Sequence, residues 1–208
     1  MKTYLISAIG AFCTMILLLV IFLFQNPSST SFFATHPREW NQFFTAFTGS
    51  WLHGDVSHLS GNLISLAGLF ALYILLFPGK WFIFFILQFI TSGIILFFLS
   101  PEGISHIGAS TWAYSYVGFL SLITLMHPNA RVKSYFLLVC LWYGGMWWGL
   151  LPLIPGISYH GHISGLIAGV LIALLFQGSW FKYLPNIVAP SWSNEDELKE
   201  SNPYDNFK

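Results

Sequence analysis

The sequence predicts an all-α membrane protein, a six-transmembrane-helix bundle with a long outer loop between helices 1 and 2. Its composition is the first observation: 55% of the 208 residues are hydrophobic and only 8% are charged, whereas soluble domains carry about 25% charged residues. The mean hydropathy is correspondingly high, at +0.67. The second observation is a series of apolar runs, each close to the length that crosses a bilayer as one helix. These predicted spans are 4–24, 58–77, 81–99, 110–126, 134–151 and 162–178.

The first span has to be distinguished from a secretory signal, because it is strongly apolar and follows Lys2. The apolar core of such a signal is about 7–15 residues long, and this run is longer. Residues 25–29 also offer no clear cleavage site. We therefore expect a retained membrane helix. Turns between later spans are expected at 78–80, 127–133 and 152–159, which all contain proline.

The basic residues predict the orientation, because they accumulate on the cytoplasmic side of membrane proteins. Arg38 lies alone on one side of the predicted membrane. The basic residues on the side of the amino terminus are Lys2, Lys80, Arg131, Lys133, Lys182, Lys199 and Lys208. We expect a multi-pass protein of the bacterial cell (inner) membrane with both termini cytoplasmic. Spans two, four and six would then begin at the outer face.

The chain is expected to form one domain, a six-helix transmembrane unit over residues 1–182, followed by a polar, mobile cytoplasmic tail over 183–208. The tail is rich in Ser, Asn, Glu and Asp and has little apolar surface to bury. The outer loop, 25–57, is much longer than an ordinary connection. Its aromatic residues follow helical spacing and predict a short helix in the membrane interface. They are Trp40, Phe43, Phe44 and Phe47.

Ser110 begins predicted span four and is a candidate nucleophile. The small residues Gly108 and Ala109 precede it and would let a substrate carbonyl approach closely. A helix amino terminus at this point would direct free N–H groups toward developing negative charge. A serine at the start of a helix is more often only a cap, so this motif does not by itself distinguish the two roles.

A serine nucleophile needs a base, and histidines are the titratable groups expected at the same depth. His162 is followed at i+3 and i+7 by Gly165 and Gly169, a small-residue face that allows close approach to another helix. Close approach would bring two short side chains into hydrogen-bonding range. His160 is an alternative base, but it lies nearer the loop and off the glycine face. The other interpretation is a helix contact with an incidental histidine.

His58 and Asn62 are four residues apart and therefore share one face of predicted span two. Their imidazole and amide N–H groups could donate to one point, as an oxyanion requires. Alternatively, both could simply bond to neighbouring backbone. A metal site of His53, His58 and His162 is a further alternative, but Asp55 is the one carboxylate near ligand spacing. We expect no metal and no cofactor.

Together these residues resemble the motifs of rhomboid intramembrane serine proteases. The resemblance covers about residues 1–180 and lies in the order of three motifs on spans two, four and six. The motifs are His53-x4-His58-Leu59-x2-Asn62, Gly108-Ala109-Ser110 and His162-x2-Gly165-x3-Gly169. It implies a rhomboid-like bundle in which Ser110 is the nucleophile and His162 is its general base, without an acidic third member.

The resemblance also implies roles for the neighbouring residues. Tyr114 would pack against the His162 ring and hold its orientation. The oxyanion hole would consist of His58, Asn62 and the Ser110 backbone N–H, with Gly108 leaving room beside it. Two positions depart from the family: Thr111 stands where many members have Gly, and Gly161 stands where Ala is frequent. We expect Thr111 to affect efficiency and substrate preference without removing a catalytic group.

The implied function is a serine endopeptidase that cleaves transmembrane segments near the outer face. Its partners would be transmembrane protein substrates and the lipid bilayer, and a net charge of zero gives no indication of nucleic acid binding. A non-catalytic rhomboid-like protein that binds membrane clients is the main alternative, but it would need neither Ser110 nor His162. A small transporter or channel would spread ionisable groups along a path through the bilayer, whereas here they cluster near one face.

Overall fold

The computed structural model describes residues 1–153 and 156–181, and this part of the chain is mainly helical. The predicted tail lies outside the described residues. The described α-helices are α1 (Lys2–Phe24), α2 (Pro27–Phe33), α3 (Val56–Leu76), α4 (Trp81–Leu99), α5 (Ser110–Met126), α6 (Ala130–Tyr143) and α7 (Tyr159–Phe181). Three 3-10 segments accompany them, at Trp40–Phe47, Gly49–Trp51 and Gly144–Leu150.

The helices form an all-α membrane bundle, which confirms the predicted fold class. Four of the described helices, α1, α3, α4 and α7, are long and apolar enough to cross a membrane. The six-helix bundle is completed by α5, with 17 residues, and α6, with 14 residues. The predicted bounds of the first four spans agree closely with α1, α3, α4 and α5.

The fifth span differs from the prediction. A helix was expected over 134–151, whereas α6 begins at Ala130, ends at Tyr143 and continues as the 3-10 segment Gly144–Leu150. The consecutive glycines Gly144 and Gly145 disfavour the α-helix at this point, because glycine loses the most backbone freedom there. The tighter segment no longer pairs its carbonyls in the α-helical pattern, so they can bond to side chains on other helices.

Side-chain caps begin α2 and α3 at the membrane face where α1 ends. The Asp55 carboxylate accepts a hydrogen bond from the His58 backbone N–H at 2.8 Å and starts α3. Asn26 and Ser29 form a capping box at the start of α2, a helix that the sequence did not predict. Because α3 starts at Val56, His58 lies in its first turn.

The outer loop packs on α4 through part of its aromatic stripe. Trp40 and Phe44 are exposed, but Phe43 and Phe47 are half-buried. Their rings lie 4.9 Å from Phe97 and 5.9 Å from Phe89, respectively, both on α4. The segment is a 3-10 helix interrupted by non-helical backbone at Gln42. The predicted helix is therefore present as an interrupted 3-10 segment, and three of its four rings contact α4, because Trp40 also lies 5.3 Å from Phe97.

The central helix of the bundle is α5, and α7 packs directly against its backbone. A Cβ atom at Gly165 would meet the Thr111 carbonyl oxygen, and one at Gly169 would meet the Ser115 carbonyl oxygen. From the other side, a Cβ atom at Gly118 would lie 2.6 Å from the Leu166 carbonyl oxygen. Glycines on both helices therefore allow the close approach that was predicted for the Gly165–Gly169 face.

Candidate active site

Ser110 and His162 meet at the amino-terminal ends of α5 and α7. The Ser110 Oγ lies 3.0 Å from the His162 Nε2 atom. Ser110 is the first residue of α5, so its backbone N–H belongs to the first turn, where helix donors have no intrahelical partner. His162 lies in the first turn of α7 and is 7% exposed. The contact requires the glycine-mediated approach of the two helices described above.

A backbone carbonyl determines which nitrogen of His162 carries the proton. The Gly149 carbonyl oxygen lies 2.7 Å from His162 Nδ1, and a carbonyl can only accept a hydrogen bond. Nδ1 must therefore donate. In the neutral ring Nε2 then keeps its lone pair and can accept the hydrogen of the Ser110 hydroxyl. This is the tautomer that a general base needs.

Tyr114 holds the plane of the His162 ring. The two rings are stacked, with centroids 4.2 Å apart and an interplanar angle of 16°. The Tyr114 hydroxyl donates a hydrogen bond to the Met146 carbonyl oxygen. A Cβ atom at Gly149 would meet the Tyr114 hydroxyl and would lie 2.9 Å from His162 Nδ1. Glycine is therefore required at position 149, near the end of the 3-10 segment that follows α6.

The three oxyanion candidates line the same cavity as the Ser110–His162 pair. This cavity has a volume of about 900 Å³, and His58, Asn62, Ser110 and His162 are among its lining residues. Gly108 adopts a φ of 115°, a conformation that favours glycine. A Cβ atom there would lie 2.5 Å from His58 Nε2 and 3.5 Å from Asn62 Nδ2. Gly108 thus leaves room for donors beside the serine.

His53 orients Asn62, a role that sequence reasoning missed. The Asn62 amide donates to His53 Nε2 at 2.9 Å, and the Ala109 backbone N–H approaches the same nitrogen at 3.4 Å. The second N–H of Asn62 remains for another acceptor. Gln25 pairs with the His53 backbone through both its amide oxygen and its amide nitrogen. The sequence signal for this role was the position of His53 in the His-x4-His motif.

The alternative metal site is not assembled. The His53 and His58 rings are 5.1 Å apart in an edge-to-face arrangement, and His53 Nε2 is engaged by Asn62. Within residues 1–153 and 156–181, no group of three or more His, Cys, Asp or Glu side chains could hold a metal ion. His53, His106 and His162 form hydrogen bonds to protein groups instead.

The outer loop holds the serine loop, residues 100–109, from one side. Thr35 and His106 form an antiparallel bridge, and the Gly108 N–H donates to the Gly49 carbonyl oxygen at 3.1 Å. A Cβ atom at Gly49 would meet Thr35. The long connection is therefore ordered through backbone contacts with the segment that precedes the candidate nucleophile.

Two buried loop histidines should make stability depend on pH. Burial lowers the pKa of His53 to about 4, with the nearby His58 as a second cause. Burial likewise lowers the pKa of His106 to about 4, with His160 as a second cause. The unfolded chain takes up these protons near pH 6.5, whereas the folded chain does not until about pH 4. Acidification between these values therefore favours unfolding.

We accordingly expect the thermal unfolding midpoint in detergent to be constant above neutral pH and to fall between pH 6.5 and 4. Each histidine can contribute up to about 3 kcal/mol to this loss. Tryptophan fluorescence during heating measures it. The His53→Gln variant keeps a hydrogen-bond acceptor but does not titrate, so its midpoint should fall less steeply. A wild-type midpoint that does not change across this range would contradict the assignment.

This fold and site define a helical membrane protein with a buried serine–histidine pair near one membrane face. The rhomboid domain family matches residues 40–179, more than half of the chain, and the chain belongs to the rhomboid family. Curated relatives include uncharacterized proteins of Mycobacterium bovis and of two strains of Mycobacterium tuberculosis, each 30% identical over 132 residues. These matches cover 60% of this chain and 55% of each relative, so the chain spans about half the length of the curated relatives it matches.

Proposed function

We propose that this rhomboid-family protein is an intramembrane serine endopeptidase that cleaves transmembrane segments near the outer face with a Ser110–His162 dyad. The observation that carries the proposal is the 3.0 Å contact between Ser110 Oγ and His162 Nε2. The Gly149 carbonyl supports it by holding the proton on Nδ1. A client-binding protein would need neither the contact nor the tautomer.

The acylation step uses both members of the dyad. Ser110 Oγ bonds to the scissile carbonyl carbon while its proton passes to His162 Nε2. The resulting imidazolium keeps its Nδ1–H on the Gly149 carbonyl and lies against the Tyr114 ring, which favours the cation. His162 then gives the proton to the leaving amine as the C–N bond breaks. An acyl-enzyme remains on Ser110.

Deacylation repeats the proton transfers with water. A water molecule attacks the ester carbonyl, His162 removes its proton, and the Ser110 oxygen leaves and regains a hydrogen. In this dyad the Gly149 carbonyl and the Tyr114 ring take the orienting role that the carboxylate has in a Ser-His-Asp triad. They orient the imidazole and fix its tautomer.

The developing oxyanion would be stabilised by three donors. The Ser110 backbone N–H lies at the amino terminus of α5. His58 and Asn62 line the same cavity from α3, and Gly108 leaves the space between them open. One Asn62 N–H already donates to His53, so the amide would present its second N–H to the substrate. Removing one such donor commonly costs about 3–4 kcal/mol of transition-state stabilisation.

The substrates would be transmembrane helices that unwind easily near the outer face. A helix shields its carbonyls by hydrogen bonding, so Gly, Pro or small polar residues near the cleavage site would expose them. Water would reach Ser110 through the cavity from the outside, because the lining includes polar groups such as Ser105 and Ser158. In this proposal both termini lie in the cytoplasm, with residues 1–182 as the catalytic unit and 183–208 as a tail.

A fluorophosphonate probe tests the proposal on the intact protein. The purified chain in detergent should be labelled at Ser110, located by peptide mass spectrometry, because an activated serine displaces fluoride from the probe. In liposomes it should also cleave a transmembrane substrate that carries Gly or Pro near its outer end. The matched substrate with Leu at those positions should resist cleavage. A folded protein that binds the substrate but is neither labelled nor active would favour the client-binding function.

A further inference from the structure

His106 is a buried histidine that the proposed mechanism does not use. It lies four residues before Ser110 in the serine loop and is 4% exposed. Its Nε2 is 2.6 Å from the Ser100 Oγ, and its Nδ1 is 2.6 Å from the Ser158 Oγ. Its backbone also exchanges two hydrogen bonds with Thr35, at 2.9 and 3.0 Å. One residue therefore connects the outer loop, the serine loop and the start of α7.

Ser158 caps the helix that carries the candidate base. Its hydroxyl oxygen accepts a hydrogen bond from the Gly161 N–H at 3.2 Å. Its carbonyl oxygen accepts one from the His162 N–H at 3.1 Å. A helix donor left without its cap costs stability at that end, so the position of Ser158 affects the first turn of α7. His106 holds the capping hydroxyl directly.

The same contacts account for the glycine at position 161. A Cβ atom there would lie 2.7 Å from the Ser158 Oγ and 3.1 Å from the Thr111 Oγ1. Because His106 holds the Ser158 hydroxyl on its other side, that hydroxyl has little room to move away. Gly161 and Thr111 therefore fit together around a fixed Ser158.

We propose that His106 is a positioning residue that sets the Ser110–His162 geometry by linking the serine loop to the cap of α7. The inference rests on the proposed function. A neutral imidazole has one donor and one acceptor, and each serine hydroxyl can take either role, so both contacts are satisfied without a charge. His106 does not touch the substrate in this scheme. Its effect passes through Ser158 to the backbone of His162.

Substitutions that retain one nitrogen position at a time can test this link. In His106→Asn the amide lies near the position of Nδ1 and can keep the Ser158 contact. In His106→Gln it lies near the position of Nε2 and can keep only the Ser100 contact. A misplacement of about 1 Å can cost about a hundredfold in rate. We therefore expect kcat to fall about tenfold to a hundredfold in His106→Gln and His106→Ala, with KM nearly unchanged, and His106→Asn to retain most activity.

The Ser158→Ala variant examines the other end of the link. It should show a loss of kcat like that of His106→Ala, and the double variant should be no worse than either single variant, because both remove the same contact. His127→Ala is the matched control. His127 is also a buried histidine, 7% exposed, but it follows the opposite end of α5. It should lower thermal stability without changing the kcat of the folded protein.

The outcomes separate the two proposals. An inactive, unlabelled wild-type chain would overturn the proposed function itself. An active wild-type chain with equal kcat in His106→Asn, His106→Gln and Ser158→Ala would overturn the role of His106. Equal losses in the Asn and Gln variants, or additive losses in the double variant, would also overturn it. If His106→Ala does not fold, the kcat values of His106→Asn, His106→Gln and Ser158→Ala still test the role of His106. The first two variants keep a polar side chain at position 106, and the third removes only one hydroxyl.

Discussion

Replacing His162 by alanine should reduce substrate cleavage and fluorophosphonate labelling by at least about a thousandfold, and Ser110→Ala should abolish both. Without the imidazole, the Ser110 hydroxyl loses the base that lies within hydrogen-bonding distance to take its proton. Dyad members act as a unit, so either single change should remove nearly all the catalysis that the pair provides, commonly about 10³-fold or more. Cleavage in liposomes, followed by gel and mass spectrometry, measures the loss.

Ser115→Ala is the matched control for this pair of variants. Ser115 is also a fully buried serine on α5, and its hydroxyl has no hydrogen-bond partner among the described residues. Its removal should leave cleavage unchanged and should not lower stability, because no hydrogen bond is lost. Cleavage that survives Ser110→Ala would contradict the assignment of the nucleophile. The search would then turn to Ser105, Ser115 and Ser164.

Gly165→Ala should lower both activity and stability, although it changes no functional group of the site. The added Cβ would meet the Thr111 carbonyl oxygen, with the Thr111 carbonyl carbon at 2.9 Å. A backbone contact cannot rotate away, so α5 and α7 would have to move apart. Such overpacking costs typically about 1–3 kcal/mol. Separating Ser110 from His162 by about 1 Å should reduce kcat about a hundredfold.

Gly178→Ala controls for the change of residue type on the same helix. Gly178 is exposed on α7, and no atom of residues 1–153 or 156–181 lies within 4 Å of a Cβ atom placed there. This variant should be as active as the wild type and slightly more stable, because alanine favours the helix by about 0.5–1 kcal/mol. Thermal unfolding and cleavage rates should be measured on all three proteins. A Gly165→Ala chain with wild-type activity would show that close helix contact does not set the dyad geometry.

The helical elements were largely predictable because a long apolar run inside a membrane is stable only as an α-helix. Backbone groups inside a bilayer must bond within their own segment, so composition and length sufficed to place α1, α3, α4 and α5. The same reasoning failed at α6, where the Gly144–Gly145 pair gives a 3-10 segment. Apolar residues continue through that break, so hydropathy does not reveal it.

The common depth of three site residues was also predictable from the order of the membrane spans. Alternate spans begin at the same face, and this alternation is enough to put His58, Ser110 and His162 at one depth. Gly165 and Gly169 further indicated which helix could approach another closely. The carbonyls of Met146 and Gly149 could not be predicted, because every residue has a carbonyl. Only the path of the chain after α6 makes these two available to Tyr114 and His162.

The amino-acid sequence by itself determined a helical membrane protein, the polar residues near one of its membrane faces and the glycines that permit close packing, since these follow from composition and spacing. Tertiary structure alone decided the 3.0 Å contact between Ser110 and His162, the tautomer of that histidine and the positions of His53 and His106. The physical reason is that the sequence patterns and the site contacts act over different separations along the chain. Hydropathy and helical periodicity act along the chain, whereas a hydrogen bond between residues 52 positions apart depends on how separate helices and loops pack together.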